Sequence, residues 1–401
     1  MGTDKLKKIL FKGDKTIWVV FFILCAISWV EVFSATSRQT YKIESYWLPI
    51  IKHSAFLCGG ILVVWFIHNM KMPWIKKLTY GIYWIGLIGL IWAQFDPSSE
   101  INDSARWIKI YGMTFQPMEF AKMGLIMVTA LILSQHQDEY GTKETALKPI
   151  IKYCTLPILI ILKENLSTAA LLLATIYLML FIARIPRKQL MILFGIGAAI
   201  GILGITTVML TPDSAAKDGG LGQKIVTWKH RLTNASSGSG EIKPENFDSD
   251  DDQMVYSKFA IASSNILGCG PGNSIQRDYI PHAYSDYIYA VIIEELGLAG
   301  GILVLMLYLT LLYRSGKIAR RCEEPYPAFL VMGIGMIIVT QAMLHMTISV
   351  STFVTGQPLP LLSQGGTSVI INCIYIGFML SISRYANKVS KNVEKEGESK
   401  E

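Results

Sequence analysis

The chain has 401 residues, 51% of them hydrophobic and 17% charged, with a formal net charge of +7 and a mean hydropathy of +0.39. That composition excludes an ordinary soluble domain and fits an all-α protein that crosses a membrane many times. The positive excess is explained by cytoplasmic segments lying beside anionic lipid, so it calls for no nucleic-acid partner.

Mostly apolar runs of about 17 to 25 residues, each long enough to cross roughly 30 Å of hydrocarbon, recur along the chain. They lie near 17–35, 48–68, 78–95, 116–134, 149–162, 166–183, 189–210, 287–313, 327–350 and 366–383, which predicts ten spans. The first run follows several lysines and lacks a small-residue cleavage site, so it reads as a retained signal anchor. The fifth and sixth runs are parted only by KENLS, which leaves the count open by one at that junction. Charge orients the bundle. Lys5 to Lys15, Lys71 to Lys77, Lys143 and Lys148, Arg184 to Lys188, Arg314 to Arg321 and the tail from Arg384 fall on one side, whereas the opposite loops hold few basic residues. The positive-inside rule then puts both termini in the cytoplasm, with an even number of spans. The expected layout is a cytoplasmic segment 1–16, a transmembrane domain 17–386 and a basic, polar tail 387–401. One long external loop, 211–286, separates spans seven and eight.

Four of the six cysteines fall inside spans, Cys322 on the inner side and Cys269 outside, so no intramolecular disulfide framework is expected. The histidines show no metal-ligand spacing. Span four opens with RWIKIYGMTFQPMEFAKMG, where Pro117 suits a first helical turn and Glu119 and Lys122 share one face. Charges at that depth are costly unless paired or turned to a cavity, so this pair should point into the bundle. An intrahelical ion pair joining helices is the plain alternative to a functional role. Arg106 and Lys109 lie just outside; taken alone they read as lipid-headgroup contacts, with anionic ligand groups as the alternative.

In the long loop, NASSGSGEIKPENFDSDDDQ cannot bury enough apolar surface to fold alone. The following MVYSKFAIASSNILGCGPGNSI is apolar and glycine-rich, which predicts backbone packed on the bundle or dipping into it. The loop ends in PHAYSDYIYAVIIEELGLAG. Ser285 or Asp286 there is a good helix cap. Glu294 and Glu295 lie roughly 12 Å deeper along the same helix and are assigned to packing or a polar cavity. Between spans nine and ten, VSTFVTGQPLPLLSQGGTSVII predicts a broken or re-entrant segment.

These motifs, in this order along ten spans, make the chain resemble the SEDS family of shape, elongation, division and sporulation proteins. The resemblance covers nearly the whole chain, and the long loop with its GNS segment is more similar to the FtsW branch than to the RodA branch. It implies a peptidoglycan glycosyltransferase in the bacterial cytoplasmic membrane that polymerises lipid II, an undecaprenyl-diphosphate disaccharide-pentapeptide. It also implies a class B penicillin-binding transpeptidase and other division proteins as partners. By the same resemblance the external acidic residue falls on Asp286, the Glu and Lys of the fourth-span motif on Glu119 and Lys122, and the RW pair on Arg106 and Trp107. Three positions depart from the family pattern: Asn165 stands for a common Asp, His345 for a frequent Asn and Gln364 for a frequent Tyr.

Joining a sugar hydroxyl to an anomeric carbon with inversion needs one carboxylate as general base, and positive charge or N–H donors for the departing diphosphate. Asp286 is the expected base. Lys122 and Arg106, with Arg277 behind them, are the expected diphosphate contacts, and Glu119 would hold Lys122. Gln116, Ser363, Gly365 and Gly366 complete the expected substrate-binding set. A divalent cation is compatible with this chemistry, although no ligand cluster demands one. A lipid transporter would place its site near the midplane between repeats, and a non-catalytic division scaffold would tolerate loss of the carboxylates.

Overall fold

In a computed structural model, residues 12–36, 47–95, 100–101, 104–105, 108–110, 113–139, 141–212, 250–280, 283–350 and 357–398 are described, with scattered positions between 222 and 233. The helices are α1 (Lys15–Ala35), α2 (Leu48–Ile67), α3 (Met72–Phe95), α4 (Pro117–Gln135), α5 (Leu147–Glu164) and α6 (Leu166–Ile182). They continue with α7 (Arg187–Leu210), α8 (Asp250–Ser263), α9 (Ile288–Ala319), α10 (Pro325–Val350) and α11 (Gly366–Glu398). Among the described residues nine are long and apolar enough to cross a membrane, all but α6 and α8. At 17 residues the apolar α6 sits at the lower limit for a span. Three small antiparallel ribbons, including Ile108–Ile110 with Met113–Phe115, are the additions to an otherwise helical chain.

Several boundaries have a local cause. Asp14 caps α1, accepting from the N–H groups of Thr16 at 2.8 Å and Ile17 at 3.3 Å, and its carboxylate also pairs with Arg314 near the end of α9. Asn165 divides KENLS into two helices. Its extended backbone ends α5, and its side chain accepts from Thr168 N–H at 3.1 Å to start α6. The chain stays helical well beyond the apolar run ending near 383, because KVSKNVEKEGE is rich in good helix formers.

Inside lipid, helices associate through close packing. The α3–α4 pair does so with two glycines, since a Cβ on Gly86 would reach the Ala121 backbone at 2.6 Å and one on Gly124 the Tyr83 backbone at 2.6 Å. Helix α4 is the axis of the molecule, with 89% of its apolar window buried, whereas α7 has only 6% buried and lies at the rim.

Helix α9 is interrupted at Gly297, whose φ of 73° no ordinary helical residue adopts. The glycine-rich segment, expected to pack on the bundle or dip into it, packs against this break and leaves Ile266, Leu267 and Ile275 exposed. Leu298 and Ala299 N–H groups, exposed by the interruption, donate to the carbonyls of Asn265 and Ile266 at 3.0 and 3.2 Å. In return Cys269 and Gly270 N–H groups donate to the carbonyls of Glu294 and Glu295 at 3.0 and 2.8 Å. Both helix halves thus find at the loop the partners that lipid cannot supply.

Candidate active site

The first half of α9 presents Asp286 on a turn two residues before its start. Helix α9 begins after Tyr287 with no side-chain cap, so neither Ser285 nor Asp286 serves as the N-cap that the sequence also allowed. Asp286 is half-buried and accepts from the Ser285 hydroxyl at 2.9 Å. The loop before α11 holds this turn from outside. Ser363 donates its hydroxyl to the Ser285 carbonyl at 2.9 Å, and the Gln364 N–H donates to the Tyr284 carbonyl at 3.0 Å.

That loop is itself built on α4 and α10. Lys122, fully buried, lies 2.7 Å from Glu119 and donates to Gln341 of α10 at 3.0 Å. Gln341 in turn donates to the Pro358 carbonyl at 2.9 Å. Leu359 N–H donates to the Ser363 hydroxyl at 2.7 Å, and the Ser363 N–H to the Leu359 carbonyl at 3.0 Å. A continuous polar path therefore runs from Glu119 through Lys122, Gln341 and the 358–363 segment to Ser285 and Asp286. A second support comes from α6, where Gln357 donates to the Thr168 hydroxyl.

Below Asp286, Glu294 and Glu295 organise the glycine-rich loop. Glu294 accepts from Ile275 and Gln276 N–H groups at 3.0 and 3.3 Å and from the Ser274 hydroxyl. Glu295 accepts from Gly272 and Ser274 N–H groups at 2.8 and 3.3 Å, from the Ser34 hydroxyl of α1, and from Arg277 at 3.3 Å. These two carboxylates replace water for backbone that would otherwise be orphaned. Cys269 lies beside them, and its thiol is pushed up by burial first and then by the charges of Glu294 and Glu295.

Of the sequence-predicted residues, Asp286, Glu119, Lys122 and Ser363 are joined by the path just described, although Lys122 and Ser363 are committed to protein partners along it. Gln116 precedes α4 as its cap residue, without a side-chain cap bond; Gly365 immediately precedes α11 and Gly366 opens it, where a Cβ on Gly366 would press on the Phe56 ring at 2.8 Å. Arg277 belongs to the Glu295 cluster and not to the path. Arg106, Trp107 and His282 lie outside the described residues. Two participants escaped the sequence reading. Gln341 is a lone amide in an apolar run, and Glu31, fully buried in α1, has neither carboxyl oxygen hydrogen-bonded. Among the described residues no three Asp, Glu, His or Cys side chains converge to hold a metal, and the buried carboxylates of the loop are already filled by N–H and hydroxyl donors. Away from the path, a cavity of about 460 Å³ between α2, α3, α4 and α11 has only apolar lining, including Phe66, Ile82, Phe120 and Phe378.

The chain is 28% identical over 397 residues to a probable peptidoglycan glycosyltransferase FtsW of Bacillus subtilis (strain 168), covering 97% of this chain and 95% of that one. It is 30% identical to a probable peptidoglycan glycosyltransferase FtsW of Idiomarina loihiensis, covering 96% and 90%. A solved structure described as structural coordination of polymerization and crosslinking by a peptidoglycan synthase complex shares the fold, with a TM-score of 0.73 at 20% identity over 93% of this chain and 98% of that one. The family of cell cycle proteins defined by FtsW, RodA and SpoVE matches residues 14–388, and with the path of polar contacts inside that match, the chain belongs to this family.

Proposed function

We propose that this chain is a peptidoglycan glycosyltransferase that polymerises lipid II, with Asp286 as general base. The observation that carries the reading is a half-buried carboxylate on a turn tied through Ser285 and Tyr284 to a loop that is anchored on α4 and α10. Such a carboxylate takes a proton from the 4-hydroxyl of the acceptor sugar as that oxygen attacks the anomeric carbon of the donor. The lipid diphosphate leaves from the opposite face, giving inversion. Arg106 is assigned to the departing anion, and Lys122 is assigned to holding the loop. The apolar cavity suits the hydrocarbon of a lipid substrate.

In this reading all ten helices other than α8 span the membrane, both termini are cytoplasmic, and the 211–286 loop is external, as the basic residues of the inner segments support. The FtsW names of the relatives support a septal role, and the crosslinking described for the peptidoglycan synthase complex supports a transpeptidase partner, for which a class B penicillin-binding protein is the candidate. Purified Asp286→Asn with its transpeptidase partner is expected to make no glycan polymer from lipid II while expression and partner binding persist. Polymer formed at the parental rate would remove Asp286 from the mechanism, and headgroup movement across vesicles without polymer would point to a transporter.

A further inference from the structure

The path to Asp286 leaves one buried group without a task. His345 lies one turn beyond Gln341 on α10 and is 1% exposed. Its Nε2 is 3.3 Å from the Ser285 carbonyl oxygen. A carbonyl oxygen only accepts, so Nε2 must carry the proton. Nδ1 has no partner at all. A buried imidazole with one nitrogen unsatisfied is an expense that the other nitrogen has to justify.

What Nε2 holds is the peptide that carries the base. The Ser285 carbonyl belongs to the peptide unit whose nitrogen is that of Asp286. Its oxygen receives two donors, His345 Nε2–H and the Ser363 hydroxyl, while the preceding carbonyl of Tyr284 receives the Gln364 N–H. Two structural elements, α10 and the loop before α11, thereby fix two consecutive carbonyls immediately ahead of Asp286. Helix α9 itself starts without a side-chain cap. Rotation of the 285–286 peptide would swing the carboxylate, and these contacts oppose it from outside the turn.

We infer that His345 is a positioning residue for Asp286: with Ser363 it fills both acceptor positions of the Ser285 carbonyl and fixes the peptide from which the carboxylate projects. The inference rests on the reading of Asp286 as the base. It makes the replaceable feature an N–H donor at the Nε2 position, so Gln, whose amide nitrogen reaches about as far along its side chain, should substitute where Ala or Leu does not.

The experiment uses the full chain with its transpeptidase partner and lipid II as substrate. His345→Ala is expected to lower kcat by ten- to a hundredfold, the scale on which a misplaced catalytic group acts, with KM within twofold of the parent. His345→Gln should recover most of kcat and keep the acid limb of the pH profile, which belongs to Asp286. An unchanged kcat in His345→Ala, a His345→Gln variant that folds but is as slow as His345→Ala, or loss of the acid limb in His345→Gln would each overturn the inference. If His345→Ala does not fold, Ser363→Ala removes the other donor to the same oxygen; a loss confined to kcat supports the clamp, and an unchanged kcat overturns it. An active Asp286→Asn variant would instead sink the underlying assignment of the base, so the two failures are separable.

Discussion

Glu31 places a carboxyl among buried α1 side chains with neither oxygen hydrogen-bonded, and Glu295 and Arg277 are the charges that act on it. A buried polar group without partners costs about 1–3 kcal/mol. Glu31→Met should therefore raise the thermal unfolding midpoint in detergent, by an amount equivalent to that range, and a lowered midpoint would mean the carboxyl has a partner after all. Lys122 is the opposite case, a buried charge with both Glu119 and Gln341 in reach. Lys122→Met strands the Glu119 carboxylate and should cost about 3–5 kcal/mol. Adding Glu119→Gln should restore part of that loss. The Glu119–Lys122 pair was legible because its spacing of three and its depth are both written in the chain. Glu31 was not legible, since a lone acid in an apolar run carries no sign of what faces it.

At the level of elements, the break in α9 and the loop against it form one unit. A Cβ on Gly297 would fall on the Ile266 carbonyl, and one on Gly268 on the Glu295 carbonyl. Gly297→Ala combines that clash with a backbone angle unfavourable to any side chain, so it should destabilise by at least about 1–3 kcal/mol. Hydrogen exchange should then rise at Leu298 and Ala299, whose N–H groups depend on the loop; unchanged exchange would show the splint to be dispensable. The sequence announced a segment packed on the bundle or dipping into it through its apolar, glycine-rich composition, but it assigned Glu294 and Glu295 only to packing or a polar cavity. Their use as acceptors for five backbone N–H and hydroxyl donors of the loop depends on the loop's path, which no local pattern encodes. The cap at Asn165 was different. Side chain and recipient are three residues apart, yet the KENLS stretch still left open whether one helix or two passed through it.

Across the whole molecule, burial divides helices that sequence makes alike. Helices α4 and α7 are both apolar, but α4 is enclosed and α7 stands at the rim. Gly124→Ala, at the α3–α4 contact, should lower thermal stability because its new methyl meets Tyr83 backbone. Gly201→Ala, where nothing lies within 4 Å, should be neutral or stabilising by about 0.5–1 kcal/mol from helix propensity. Equal shifts in the two variants would contradict this division between centre and rim. The sequence by itself determined where the helices run and which polar motifs interrupt them. Inside lipid each helix satisfies its own backbone, and the length of an apolar run is a local property. Only the tertiary structure decided which polar groups meet. Lys122 and Gln341 are 219 positions apart, and Ser363 and Ser285 are 78 apart. Whether such side chains touch depends on how each helix is rotated against its neighbours, and that is fixed by packing over the entire bundle.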